Sequence, residues 1–292
     1  MAEIHLAGIT TPLRLHAILK LLALVGEKSR QNVLDLLQPQ ALSETQTRAK
    51  DSIALLVALG MIEITDNGQS LRLAASVPEK IDRVDVYRAY MQERVMGITN
   101  PNAPNNYVFN QFAAWFAVQD AHISNLNKIG LTAKFSEEMY PSQGSDSDAS
   151  TRAMNDTKFN GWMNWAAFLG WGVTHDAFRC GFVPDASGRL RGVLNETLPY
   201  GEPITMRIFM EKLATVCPEL DGGTLFEEAW TLSRPNENRS NNISFMLSTG
   251  LRVLYKCHEV TLKEMPDSGD LWQLFPIYGD VNRISHIQRG RT

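Results

Sequence analysis

The stretch Ser43–Leu73, SETQTRAKDSIALLVALGMIEITDNGQSLRL, constrains this chain more than any other. Ser43 and Gln46 stand at the S-x-x-Q spacing of a capping box, in which two side chains satisfy free amide donors at a helix start. Ala49, Ile53, Leu56 and Gly60 recur at helical spacing, and Leu55 and Leu59 widen the apolar stripe. Gly60 suits a helix stop, because glycine enters the left-handed conformation without steric penalty. Two short runs follow, Met61–Thr65 and Ser70–Leu73, around Asp66-Asn67-Gly68-Gln69. Asn-Gly between such runs signals a hairpin. The pattern predicts a helix over Glu44–Leu59 that leads directly into a hairpin.

Two helices are expected upstream. Leu13–Val25 places Leu15, Ile18, Leu19, Leu22 and Val25 on one face, with Pro12 near its start and Gly26 at its end. Ser29 can cap a shorter helix, Arg30–Leu37, which Pro39 terminates. This order of helices and hairpin, with ALGMIEI, DNG and LRL at its end, resembles the winged helix-turn-helix superfamily. The resemblance implies nucleic acid as partner. In such a module the start of the last helix meets base edges. The residues there are Thr45, Gln46, Thr47, Arg48 and Lys50, with Ser52 further along. Arg48 and Ser52 should project away from the stripe through Ile53 and Leu56. Gln pairs with adenine and Arg with guanine, while Arg30 and the wing residue Arg72 suit phosphates. Gln46 cannot both close the capping box and read a base. Glu44 and Asp51 would repel phosphate unless turned away. The charges of the first 83 residues nearly balance, so a module that docks on protein is the competing reading.

Beyond a linker at Val77–Asp85 the pattern turns helical. Val86–Met96 is one candidate helix, Ile98–Asn106 a Pro-Asn loop, and Tyr107–Ile123 a helix with Phe109, Phe112, Ala113, Phe116 and Ala117 on one side. Ser142–Ser150 is small and polar and reads as an exposed loop. Thr157–Trp171 carries an aromatic face from Phe159, Trp162, Trp165, Phe168 and Trp171; such rings can stack on bases, but more often they form a core. Gly172–Leu198 reads as irregular, with Arg179, Arg189 and Arg191 scattered on the surface. The last third is expected to repeat the first in outline. It has a helix at Thr205–Val216, a T-x-x-E capping box at Thr224 and Glu227, and a helix at Ile243–Tyr255 capped by Asn242. A hairpin should then pair Glu259–Lys263 with Leu271–Phe275 around Pro266–Gly269. The fold class is therefore mainly α with small β-hairpins (α+β). It divides into a winged helix at 1–80, a helical middle domain at 81–200 and a winged-helix-like domain at 201–292.

Chemistry is scarce. The chain lacks a Gly-rich phosphate loop, G-x-S-x-G and H-E-x-x-H. His175-Asp176 is an adjacent pair without a third partner, and Asp146 and Asp148 lie in a polar loop. Three cysteines, Cys180, Cys217 and Cys257, stand far apart. Neither a zinc site nor a disulfide framework is indicated. The expectation is no enzyme, no cofactor and no metal. A net charge of -4 over 292 residues excludes a wholesale basic coat, so any DNA contact must be local. No signal-peptide pattern and no run of ~20 apolar residues occurs, which points to the cytoplasm and away from a membrane.

Phe159–Gly172 (FNGWMNWAAFLGWG) and Leu247–Leu254 (LSTGLRVL) resemble the DpdG type of accessory protein of bacterial DNA-modification and phage-defence islands. That resemblance implies a non-catalytic subunit beside DNA-processing protein partners. The expected role is a DNA-binding adaptor or regulator of double-stranded DNA, or else a scaffold that docks partner subunits.

Overall fold

The computed structural model describes residues 10–96, 104–140, 154–176, 178–237, 240–265, 269–277 and 280–290. The architecture is mainly helical, with antiparallel sheets of two or three strands. The polar loop at 142–150, with Asp146 and Asp148, and the turn at 266–268 lie outside the described residues.

The first run comprises α1 (Pro12–Val25), β1 (Lys28–Ser29), α2 (Arg30–Leu37), α3 (Thr47–Ala58), β2 (Ile62–Thr65) and β3 (Ser70–Leu73). Thr11 caps α1 and Ser29 caps α2. The strands form one sheet in the order β1-β3-β2. Leu15, Ile18, Leu19, Val33, Ile53, Leu56 and Leu71 close a core beneath it.

After α4 (Val84–Met96) comes a second run: α5 (Pro104–Val118), α6 (Lys128–Met139), α7 (Asp156–Leu169) and the hairpin β4 (Gly172–Thr174) with β5 (Phe182–Pro184). Trp162, Phe112 and Phe116 are fully buried. The Phe112 ring meets Trp162 edge-on at 4.8 Å and Phe135 at 4.8 Å, so the aromatic face is core.

The third run begins earlier than expected. It comprises α8 (Ser187–Thr197), β6 (Ile204–Thr205), α9 (Met206–Val216), α10 (Thr224–Ser233), α11 (Phe245–Lys256), β7 (Val260–Lys263), β8 (Trp272–Gln273), β9 (Arg283–Ile284) and β10 (His286–Arg289). The predicted hairpin does not form. β7 pairs with β10, from Val260 opposite Arg289 to Lys263 opposite His286, while β8 pairs with β9. The strand near 271–275 is thus an insertion inside a wider hairpin. The resulting sheet, β6-β10-β7, has the order of β1-β3-β2.

One junction recurs in all three runs. The last long helix ends in a left-handed residue: Gly60 at φ 66°, Gly170 at φ 86° and His258 at φ 59°. The next amide donates back to the helix, Met61 to Leu56, Trp171 to Ala166 and Glu259 to Leu254. The residue after the return strand then donates to that same junction residue: Ala74 to Met61, Asp185 to Trp171 and Gly290 to Glu259. The runs therefore share one construction. The second and third are also joined closely: Gly188 on α8 lies against Gly170, and an added Cβ at either would come within 2.8 Å of the other's Cα.

Candidate nucleic-acid interface

The residues singled out by sequence gather around α2 and α3, and the structure sorts them. Arg48 and Lys50 are exposed on α3, opposite the buried Ala49, Ile53 and Leu56. Arg30 opens α2, half-exposed, its amide donating to the Gln69 carbonyl at 2.6 Å. Arg30 and Lys50 line one recess with Ser29, Gln31, Leu34 and Gln69. None of Arg30, Arg48 and Lys50 is in an ion pair among the described residues. Thr45 and Thr47 are exposed, and the Thr45 carbonyl accepts from Gln38 Nε2 at 2.6 Å.

Two expectations fail here. The capping box does not form: α3 begins at Thr47, Gln46 is its N-cap residue without a side-chain cap bond, and Ser43 Oγ donates to the Thr45 carbonyl at 2.7 Å. Gln46 is instead buried, its amide donating to Asp35 Oδ1 at 2.8 Å and to the Gln38 carbonyl at 3.2 Å. A side chain so used braces the α2–α3 turn and is withdrawn from any base. Ser52, expected outside, is fully buried with Oγ donating to the Arg48 carbonyl at 2.7 Å. A small hydroxyl that bonds its own helix tolerates the interior.

Arg72 sits on β3, exposed, but its guanidinium meets Glu63 on the neighbouring strand at 2.6 Å. The hydrogen bond and charge of Glu63 raise the Arg72 pKa. Its charge is largely answered within the protein.

His175 and Asp176 are exposed in the loop between β4 and β5. Cys180 and Cys217 are buried, and burial pushes both thiols up, away from the reactive thiolate. Cys257 is exposed. Among the described residues no group of three His, Cys, Asp or Glu side chains could hold a metal. No helix among them is long and apolar enough to cross a membrane.

Sequence reasoning missed one charged pair. Arg189, expected on the surface, is buried with Nε 2.8 Å from Glu219 Oε1, and Trp171 Nε1 donates to the same oxygen at 3.0 Å. Burial acts to lower the Arg189 pKa, but the charge and hydrogen bond of Glu219 act against it and the net shift is upward. The only available signal was Arg189 lying one position from an apolar helix stripe that two glycines hid.

These features define a class: helix–hairpin units joined in tandem, one of which displays exposed cations on the outer face of a helix. Over residues 1–268 the chain matches the model of the family described as DpdG-like, and it belongs to that family. Membership associates it with the accessory proteins of bacterial DNA-modification systems. No curated protein and no solved structure matches the chain.

Proposed function

We propose that this chain is a non-catalytic DNA-binding adaptor or regulator of a bacterial DNA-modification or phage-defence system, working in the cytoplasm beside protein partners. Residues 12–73 act as its winged helix. The observation that carries this reading is the pair Arg48 and Lys50 on the outer face of α3, with Arg30 in the same recess as Lys50. A helix laid in the major groove needs an apolar inner stripe and a cationic, hydrogen-bonding outer face, and α3 has both. Thr47 and Arg48 reach towards base edges; Arg30 and Lys50 meet backbone phosphates.

The test uses the full chain and a fluorescent DNA duplex, read by anisotropy across a salt series. The triple variant Arg30→Ala, Arg48→Ala, Lys50→Ala should bind more weakly. Its salt dependence should flatten by about one unit of slope for each phosphate it no longer neutralises. Its unfolding free energy should stay within about 0.5 kcal/mol per substitution, because exposed positions tolerate change. Equal binding by wild type and variant would remove this surface from the account.

A second reading has its own support. Leu24, Leu36 and Leu42 on the same module are 73%, 61% and 85% exposed. Exposed leucines around a module whose wing arginine is already neutralised suit a protein-docking role, and absence of any DNA binding by the wild type would bring that role to the front.

A further inference from the structure

We infer that the middle unit carries a second contact surface for double-stranded DNA. It is formed by Lys128 at the start of α6 and by Lys158, Asn160 and Asn164 on the outer face of α7. The inference extends to another unit the reading of α3 as a DNA-contact helix.

The shared junction fixes the comparison. Setting Gly170 against Gly60 puts Lys158 at the place of Arg48, Asn160 at that of Lys50 and Asn164 at that of Ala54. The inward places agree as well: Phe159, Trp162, Met163, Trp165 and Ala166 are buried where Ala49, Ser52, Ile53, Leu55 and Leu56 are buried. The exposed residues of α7, Asp156, Thr157, Asn160 and Asn164, are all polar. Asn160 and Asn164 are exposed and one turn apart; Lys158 is half-exposed.

The second helix of the unit agrees independently. Arg30 is the first residue of α2, after Ser29, whose side chain accepts from the amide of Asn32. Lys128 is the first residue of α6, after Asn127, whose side chain accepts from the amide of Gly130. Lys128 Nζ donates to Asn160 Oδ1 at 2.6 Å. Both units therefore bring the cation that opens the second helix beside the same position of the third helix. In the first unit that arrangement is the recess shared by Arg30 and Lys50. In the third unit it is gone, with buried Met206 and buried Ser248 at the matching places. A pattern kept in two units and erased in the third follows use and not topology alone.

The chemistry suits a duplex backbone. A lysine held by a neutral amide keeps its full charge, unlike Arg72 against Glu63. Asparagine amides donate to phosphate or pair with adenine. Arg179, on the loop between β4 and β5, is exposed and in no ion pair among the described residues, and it adds a cation where a wing would lie. Asp156 and Asp176 are exposed nearby in the sequence and work against binding.

The experiment compares three proteins on one fluorescent 20-base-pair duplex of mixed sequence: wild type, the α3-surface triple variant, and Lys128→Ala with Lys158→Ala. Affinity of the α6–α7 variant should fall by about tenfold or more, since each interaction it removes is charge-assisted. Its salt slope should become shallower by about 2. A thermal melt checks its fold, and Asn164→Asp serves as the second variant: it keeps size and exposure, adds a charge that repels phosphate, and should weaken binding. If the α6–α7 variant and Asn164→Asp both bind as wild type at every salt concentration, the second surface does not exist. If the α6–α7 variants lose binding while the α3 variant does not, the second surface stands and the reading of α3 falls. No binding by the wild type overturns both.

Discussion

The first and third units have the same strand order and the same helix–hairpin junction, yet they treat the last long helix in opposite ways. In α3 only the inner half is buried; Thr47, Arg48, Lys50, Asp51 and Ala54 face out. In α11 the matching residues are Phe245, Met246, Ser248, Thr249 and Arg252, and of these Met246, Ser248 and Arg252 are buried. The insertion between β7 and β10 supplies much of the cover. The Phe275 amide donates to Ser248 Oγ at 2.8 Å, and Arg252 Nη2 donates to the Val281 carbonyl at 2.9 Å. Burial pulls the Arg252 guanidinium below its ordinary pKa. A helix buried nearly all round is a structural strut. A shared topology therefore says nothing by itself about which unit suits the proposed DNA contact; that contact needs an exposed outer face, which α3 has and α11 lacks.

The largest effects should come from exchanging residues between the two helices. Ser248→Lys places an ammonium at a fully buried position, and should cost about 3–5 kcal/mol in urea unfolding. The reverse exchange at the matching place, Lys50→Ser, should change stability by no more than about 0.5 kcal/mol. Similar costs for the two would break the comparison. Trp162→Ala, on the inner face of α7, should cost about 3–5 kcal/mol through the cavity it leaves. Its folded fraction should still bind DNA like the wild type; normal stability with impaired binding would turn Trp162 into a stacking residue.

A smaller effect concerns the left-handed junction. Gly60→Ala should lose about 1 kcal/mol although nothing lies within 4 Å of the added Cβ, because the cost is backbone strain at φ 66°. His258→Gly at the matching place should be neutral or stabilising in the same denaturation assay. The smallest effect is expected from Arg72→Ala. With its charge already answered by Glu63, this variant should keep a salt slope closer to wild type than Lys50→Ala does.

Much of the first unit was legible, and particular residues show why. Arg30–Leu37 needed only a serine cap and a following proline, both local signals. The hairpin after Gly60 followed from Asn-Gly between short runs. Gln46 was misread because the capping spacing is local, whereas its partners Asp35 and Gln38 lie on the preceding turn. α8 went unread because Gly188 and Gly192 interrupt its apolar period. Those glycines answer to neighbours that no local pattern reveals, since an added Cβ would strike Gly170 at one and Gln92 at the other. β10 was missed because its partner β7 lies far back along the chain, with another strand pair in between. At the candidate interface Arg48 and Lys50 were legible from helical phase alone; the recess that joins Lys50 to Arg30 needed the fold.

α10 packs against α5, and the two are stitched by Gln111 Nε2 to Glu228 Oε1 at 3.3 Å and by Arg234 Nη2 to the Val118 carbonyl at 3.2 Å, across 117 and 116 residues of sequence. During synthesis, then, α5 emerges with part of its apolar surface uncovered. At about 5–20 residues per second it must wait on the order of ten seconds for α10 to leave the ribosome. Through that interval the nascent chain presents an aromatic-rich helix to its surroundings, and protection from chaperones or from partner subunits made nearby would matter most there. A ribosome stalled just before residue 224 should expose that helix for as long as the stall lasts.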